Sequence, residues 1–176
     1  MSGTGIKDLV VRSRTPIGSL YHYFPDGKTQ LVVESLKLHG EEARRLLGHF
    51  FDGKKTAATA LRSLFNTAAE EFEQRGANKG CAIGAVALDL TPSDNEVRNV
   101  CKNTFDEWVS LIAPRIPFRD GRSRHSFAIM VVAALEGAFV LGRAMQSGEP
   151  FRASGEWLAA AVSQKGAVQS GQKSRR

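Results

Sequence analysis

The stretch that decides the fold is Ser13-Arg14-Thr15-Pro16-Ile17-Gly18-Ser19-Leu20-Tyr21-His22-Tyr23-Phe24-Pro25-Asp26-Gly27-Lys28. Pro16 suits the first turn of a helix, where its missing N–H would have no partner. Ile17 to Tyr23 then reads as a short helix, broken by Phe24-Pro25-Asp26-Gly27. Upstream, Thr4 is a candidate N-cap for another short helix, Gly5 to about Val11, with Ile6, Leu9 and Val10 on one face. Downstream, Asp26 is placed to cap a long helix from about Lys28 to Phe51. Two short helices joined by a tight turn and followed by a long one is the helix-turn-helix layout.

Helical periodicity continues through the rest of the chain. A helix is expected from Thr56 to Gln74, with Leu61, Leu64, Phe65 and Phe72 on its inner stripe. A short one follows from Cys81 to Leu90. Pro92-Ser93-Asp94 opens an amphipathic helix carrying Val97, Cys101, Phe105, Trp108 and Ile112, and Pro114 and Pro117 end it. Phe118 to Arg124 reads as a basic, exposed loop. A long helix over 125–147 is apolar on more than one face, with Glu136 and Arg143 as its charges, and a last helix covers about Ala153 to Ser163. The fold class is therefore all-α, a short helix-turn-helix head followed by a helical body.

Composition narrows the function. Of 176 residues, 42% are apolar and 24% charged, the balance of a soluble globular protein, and no run approaches the ~18 consecutive apolar residues of a membrane span. The first residues lack the basic start and apolar core of a secretion signal, so the expected location is cytoplasmic, with no membrane partner. The net charge of +6 is weak support for nucleic acid, because Lys165, Lys173, Arg175 and Arg176 supply four of those charges from the tail. Cys81 and Cys101 have neither CxxC spacing nor a histidine cluster, so no metal and no cofactor is expected. They read as buried thiols, with redox sensing by Cys81 the alternative.

Catalytic motifs are missing. Gly27-Lys28-Thr29 imitates the end of a phosphate-binding loop, but His22 stands where its first glycine belongs. His22, His39, His49 and His125 are scattered, and Glu70, Glu71 and Glu73 read as a solvated face. The chain is not expected to be an enzyme.

The run Gly18-Ser19-Leu20-Tyr21-His22-Tyr23-Phe24, together with Ile6 to Val10, Lys28 and Leu31, resembles the DNA-binding signature of the TetR family of transcriptional regulators. Gly80-Cys81-Ala82-Ile83-Gly84-Ala85-Val86-Ala87-Leu88, the Trp108 helix and Ala134-Leu135-Glu136-Gly137-Ala138 resemble its LmrA/YxaF-like subgroup. The resemblance implies a repressor that binds a palindromic operator on double-stranded DNA as a homodimer and releases it on binding a small-molecule inducer. It also implies a ligand pocket among the middle helices and dimerisation through the last two long ones.

The motif's physics agrees. Gly18 has no side chain to hold the second helix away from DNA, while Leu20 and Phe24, one turn apart, can anchor it. Thr4, Tyr21, Tyr23 and Lys28 are the candidates for phosphate contacts, with Arg14 beside them, and Thr15, Ile17, Gly18 and His22 for base edges. Plain packing is the alternative for the tyrosines, and ordinary solvation for Lys28 and His22. Phe65, Phe105, Trp108 and Met130 are the candidate ligand-pocket walls, with plain core the alternative.

Three regions are expected: a helix-turn-helix region over 1–28, a ligand-binding and dimerisation domain over 29–164, and a basic disordered tail over 165–176. Family members carry a further helix ahead of the helix-turn-helix, and this chain reads as lacking it. The turn also reads Ser13-Arg14-Thr15 where many members have Ala-Gly-Val, and the link to Lys28 is one residue longer. The alternative function is accordingly a ligand-binding or dimerisation module with weak or no grip on DNA.

Overall fold

The computed structural model describes residues 16–53, 56–77 and 80–171, with backbone alone for Ile17 and for 165–171. The expected helix at Gly5–Val11 therefore lies outside the described residues, as do Thr4, Arg14 and Thr15. Among the described residues the fold is all-α with no strand: α1 (Ile17–Tyr23), α2 (Lys28–Phe51), α3 (Ala57–Gln74), α4 (Ala82–Leu88), α5 (Asn95–Ile112), a 3-10 turn (Ala113–Arg115), α6 (Gly121–Met145) and α7 (Glu149–Gly171).

Local chemistry sets the boundaries. Pro16 is the N-cap of α1 rather than its first residue, with φ −58° and ψ 138°. At the other end the Phe24 N–H donates to Leu20 O, and Gly27, at φ +71°, turns the chain into α2. Asp26 contributes its N–H to Gln30 Oε1 at 3.1 Å, so the side-chain oxygen guarding this turn belongs to Gln30 rather than to Asp26. Thr56 caps α3, its Oγ1 accepting from Thr59 N at 3.2 Å. Ahead of α5, Asp94 Oδ2 accepts from Thr91 N at 2.8 Å and from Thr91 Oγ1 at 2.6 Å.

The last two helices are longer than the sequence indicates. Asp120 caps α6 by accepting from Arg122 N and Ser123 N, so residues 121–124 are helical rather than loop. Gln146, in the left-handed region at φ 51°, ends α6. α7 begins at Glu149, before the expected Ala153, and its backbone remains helical to Gly171, past the expected start of the tail. Apolar periodicity had stopped at Val162, but small and polar residues do not break a helix already under way.

The described residues fall into two compact units: those up to Glu42 with Ala82–Thr104, and those of 43–81 with the chain from Phe105 onward. The first unit holds α1, the first half of α2, all of α4 and the first half of α5. Its core is Leu20, Val33, Leu36, Ile83, Val97 and Cys101, all buried. Gly40 of α2 lies against Thr104 of α5, where an added Cβ would come 2.8 Å from Thr104 Cγ2.

In the second unit α3 and α7 pack face to face, and α6 packs on α7. Gly155 permits the closest approach: a Cβ there would stand 2.6 Å from Phe65 Cβ. Phe72, Phe139 and Phe151 form an aromatic cluster with centroids 4.9–6.3 Å apart. Each fully buried large side chain, Phe65, Phe151 or Leu61, contributes about 1.5–3 kcal/mol. Two ion pairs flank the α3–α7 contact, Arg62 with Glu156 at 2.9 Å and Glu73 with Arg152 at 2.7 Å.

Several apolar residues do not face the core. On α2 the buried set is Val33, Leu36, Gly40, Leu47 and Phe51, and Leu38 and Leu46 are exposed. The true stripe follows clean steps of three and four, and those two leucines fall off it. On α6 the buried set is Ala128, Val131, Val132, Ala138 and Gly142, which leaves Met130, Val140, Leu141 and Met145 outside.

Candidate nucleic-acid interface and sensor body

Helix α1 displays its polar and aromatic side chains and buries little else than Leu20. Tyr21 is 49% exposed and Tyr23 72%. His22 is exposed between them, its ring edge-on to Tyr23 at 5.2 Å. At Gly18 an added Cβ would meet no described residue within 4 Å. The helix is held from its other side, where Leu20 is buried and Phe24 half-buried as its sequence position requires. Leu20, Phe24, Leu31, Leu36 and Val86 line an apolar cavity of about 510 Å³ within the first unit.

Of the nine residues expected to meet DNA, Gly18, Tyr21, His22 and Tyr23 therefore share one short exposed helix. Ile17 belongs to the same helix by its backbone. Lys28 opens α2 and is half-buried. Thr4, Arg14 and Thr15 lie outside the described residues.

The four residues expected to wall a ligand pocket are dispersed within the second unit. Phe105 and Trp108 meet edge to face at 5.4 Å, with Trp108 buried. Phe65 is wholly buried beneath Gly155. Met130 is 59% exposed and borders a cavity of about 360 Å³ with Phe118, Phe127 and Arg122. Neither this cavity nor the first is lined by Phe65, Phe105 or Trp108.

Two polar features escaped the sequence reading. Glu73 is no idle member of a solvated run: its carboxylate takes two hydrogen bonds from Arg152 and one from Gly148 N at 2.8 Å. The Arg152 guanidinium and the Gly148 N–H hold the Glu73 carboxyl below the usual carboxylate range. Glu136, on α6, is driven the other way: burial raises its carboxyl, and a hydrogen bond from the Cys81 thiol opposes the rise. Cys81 is thus half-buried and partnered, whereas Cys101 is fully buried, with its thiol pushed up by desolvation. No cluster of potential metal ligands occurs among the described residues.

Among the described residues the chain is all-helical and displays one short helix, α1, ahead of the long α2. Residues 57–156 match the family model for the C-terminal domain of LmrA/YxaF-like transcriptional regulators. The chain is 25% identical to the HTH-type transcriptional regulator YxaF of Bacillus subtilis, over 93% of this chain and 86% of that protein. It is 30% identical to an HTH-type transcriptional regulator of Mycobacterium tuberculosis, over 80% of this chain and 74% of the relative. A TetR transcriptional regulator from Legionella pneumophila has the same fold, with a TM-score of 0.79, 18% identity, and coverage of 90% and 86%. The chain belongs to the TetR family of transcriptional regulators, in its LmrA/YxaF-like subgroup. Its class of activity is thus DNA-binding transcription regulation.

Proposed function

We propose that the protein is a cytoplasmic, homodimeric repressor that holds a palindromic operator through α1 and lets go when a small molecule enters its helical body. The observation that carries this reading is the surface of α1. Among the described residues nothing requires a glycine at position 18, yet a helical glycine costs about 0.5–1 kcal/mol relative to alanine. A requirement imposed from outside explains it, namely a duplex whose groove the backbone must approach. Tyr21 and Tyr23 then offer hydroxyls to phosphates and His22 reaches toward base edges, while Thr4, Arg14, Thr15, Ile17 and Lys28 complete the contact set. The regulators of this family are not enzymes, and no catalytic role is assigned to any of these groups.

The dimer has its own support. Met130, Ala133, Gly137, Val140, Leu141 and Ala144 recur at helical spacing on the outer face of α6. Met130, Val140 and Leu141 are each more than half exposed, and a Cβ on Gly137 would meet nothing within 4 Å. On α7, Trp157 is 79% exposed. Large apolar patches of this kind mark association surfaces, and a second copy is the occupant that a two-fold operator demands. By length and composition α6 would also suffice to cross a bilayer, but its inner face packs on α7 and its outer face is assigned to the partner subunit.

In the dimer, two α1 helices enter successive major grooves roughly 34–36 Å apart. A ligand that favours a different spacing weakens the complex by its differential affinity for the two states. Fluorescence anisotropy with DNA from upstream of the encoding gene tests the reading. Affinity is expected to fall about 10³–10⁵-fold between 50 and 200 mM salt, given some 6–10 phosphate contacts. A dimer whose DNA affinity is negligible at every salt concentration would instead be a sensing and dimerisation module.

A further inference from the structure

Between Phe127 and Gly142, α6 carries one charged residue, Glu136. Its Oε1 is sealed from solvent and, among the described residues, receives no hydrogen bond. The carboxyl's one identified donor is the Cys81 thiol, and S–H is a weak donor. Burial without an adequate partner disfavours the charged form, which is why this carboxyl sits above its ordinary range. Buried acceptors left without a donor are rare in folded proteins, since their desolvation is uncompensated. An apolar residue would suit this helix better, so the carboxyl's justification lies in something that binds to it.

We infer that Glu136 Oε1 is the polar anchor of the small-molecule site, and that its ligand is a primary ammonium carried on a small apolar scaffold. The inference rests on the sensor reading of the second unit and gives that sensor a ligand chemistry. A desolvated carboxylate is best matched by a donor that also brings positive charge, because charge-assisted hydrogen bonds are about twice as strong as neutral ones. An anionic ligand would be repelled. A guanidinium presents five donors in a fixed fork, and Oε1 is the only buried side-chain acceptor left open among the described residues. The scaffold is apolar because the flanking stretches of this helix, Ala133-Ala134-Leu135 and Gly137-Ala138-Phe139, carry no other polar side chain.

Calorimetric titration of the purified full chain with 2-phenylethylamine tests this, with 2-phenylethanol as the uncharged probe on the same scaffold. The wild type is expected to bind one amine per chain, at least tenfold more tightly than the alcohol. Glu136→Gln should weaken the amine tenfold or more and leave the alcohol unchanged. Glu136→Leu should abolish amine binding and yet raise the melting temperature, a combination that a structural role for the carboxylate would not produce. The inference is overturned if Glu136→Gln binds the amine as well as the wild type, if the amine binds no better than the alcohol, or if Glu136→Leu melts lower. The titration contains no DNA, so its failure leaves operator binding standing, and a protein that binds the amine but ignores DNA fails only the regulator reading.

Discussion

Helix α1 and the α3–α7 pair obey opposite rules. In α1, the residues that carry meaning are those the described fold does not use: a Cβ at Gly18 would meet no described residue, and Tyr21, His22 and Tyr23 are exposed. In the α3–α7 contact Gly155 has a neighbour that demands it, since a Cβ there would stand 2.6 Å from Phe65 Cβ. Both helices contain glycine, and only its surroundings separate a glycine kept for an outside partner from one kept for internal packing. Substitution at the two sites should therefore damage different properties.

The sharpest way to break this contrast is Gly18→Leu. No described residue stands within 4 Å of a Cβ at that position, so the melting temperature should hold or rise slightly, while DNA affinity measured by anisotropy falls at least a hundredfold. If affinity survives, α1 does not approach DNA through Gly18. Next in size is Gly155→Val, whose Cβ alone would intrude on Phe65 Cβ at 2.6 Å. Overpacking of this kind costs about 1–3 kcal/mol, to be read as a lower midpoint in urea unfolding. DNA affinity per folded dimer should not change.

Trp157→Ala addresses the outer surface of the body. If Trp157 is an anchor of the homodimer, sedimentation equilibrium should show the dimer constant weakened at least tenfold, with little change in helicity. An unaltered constant would remove α7 from the interface. The smallest effect belongs to Glu73→Gln. The Glu73 carboxyl titrates below its ordinary 4.5 in the folded protein, so its contribution is present above that pH and is lost as pH falls through the lower folded value. The variant should melt slightly lower than wild type at neutral pH, and the gap should close in acid. Glu73 and Arg152 are both substantially exposed, which keeps the effect small.

Much of this architecture was legible in the residues. Pro16, Gly27, Thr56 and Pro92 punctuate the helices where local chemistry requires, and the bounds of α2 and α3 follow from them. Leu20 and Phe24 were readable as anchors because they lie one turn apart. The ends of α6 and α7 were not legible: Asp120 acts as a cap through its Oδ atoms, yet in the sequence it sits inside a basic stretch that resembles a loop. The surroundings of the expected ligand walls were not legible either: Phe65 and Trp108 are buried and Met130 is exposed, and being large and apolar does not distinguish core from cavity or from outer surface.

What the sequence alone determined is the order and type of the elements and the identity of the displayed helix, since capping, turn geometry and helical periodicity are local and act within a few residues. Tertiary structure decided which apolar face of α6 turns inward, that Glu73 is tied to Arg152, and that Glu136 is half-buried beside Cys81 with its Oε1 sealed from solvent and left without a donor among the described residues. Those depend on residues 55 to 79 positions apart meeting in space, and no local pattern encodes such a meeting.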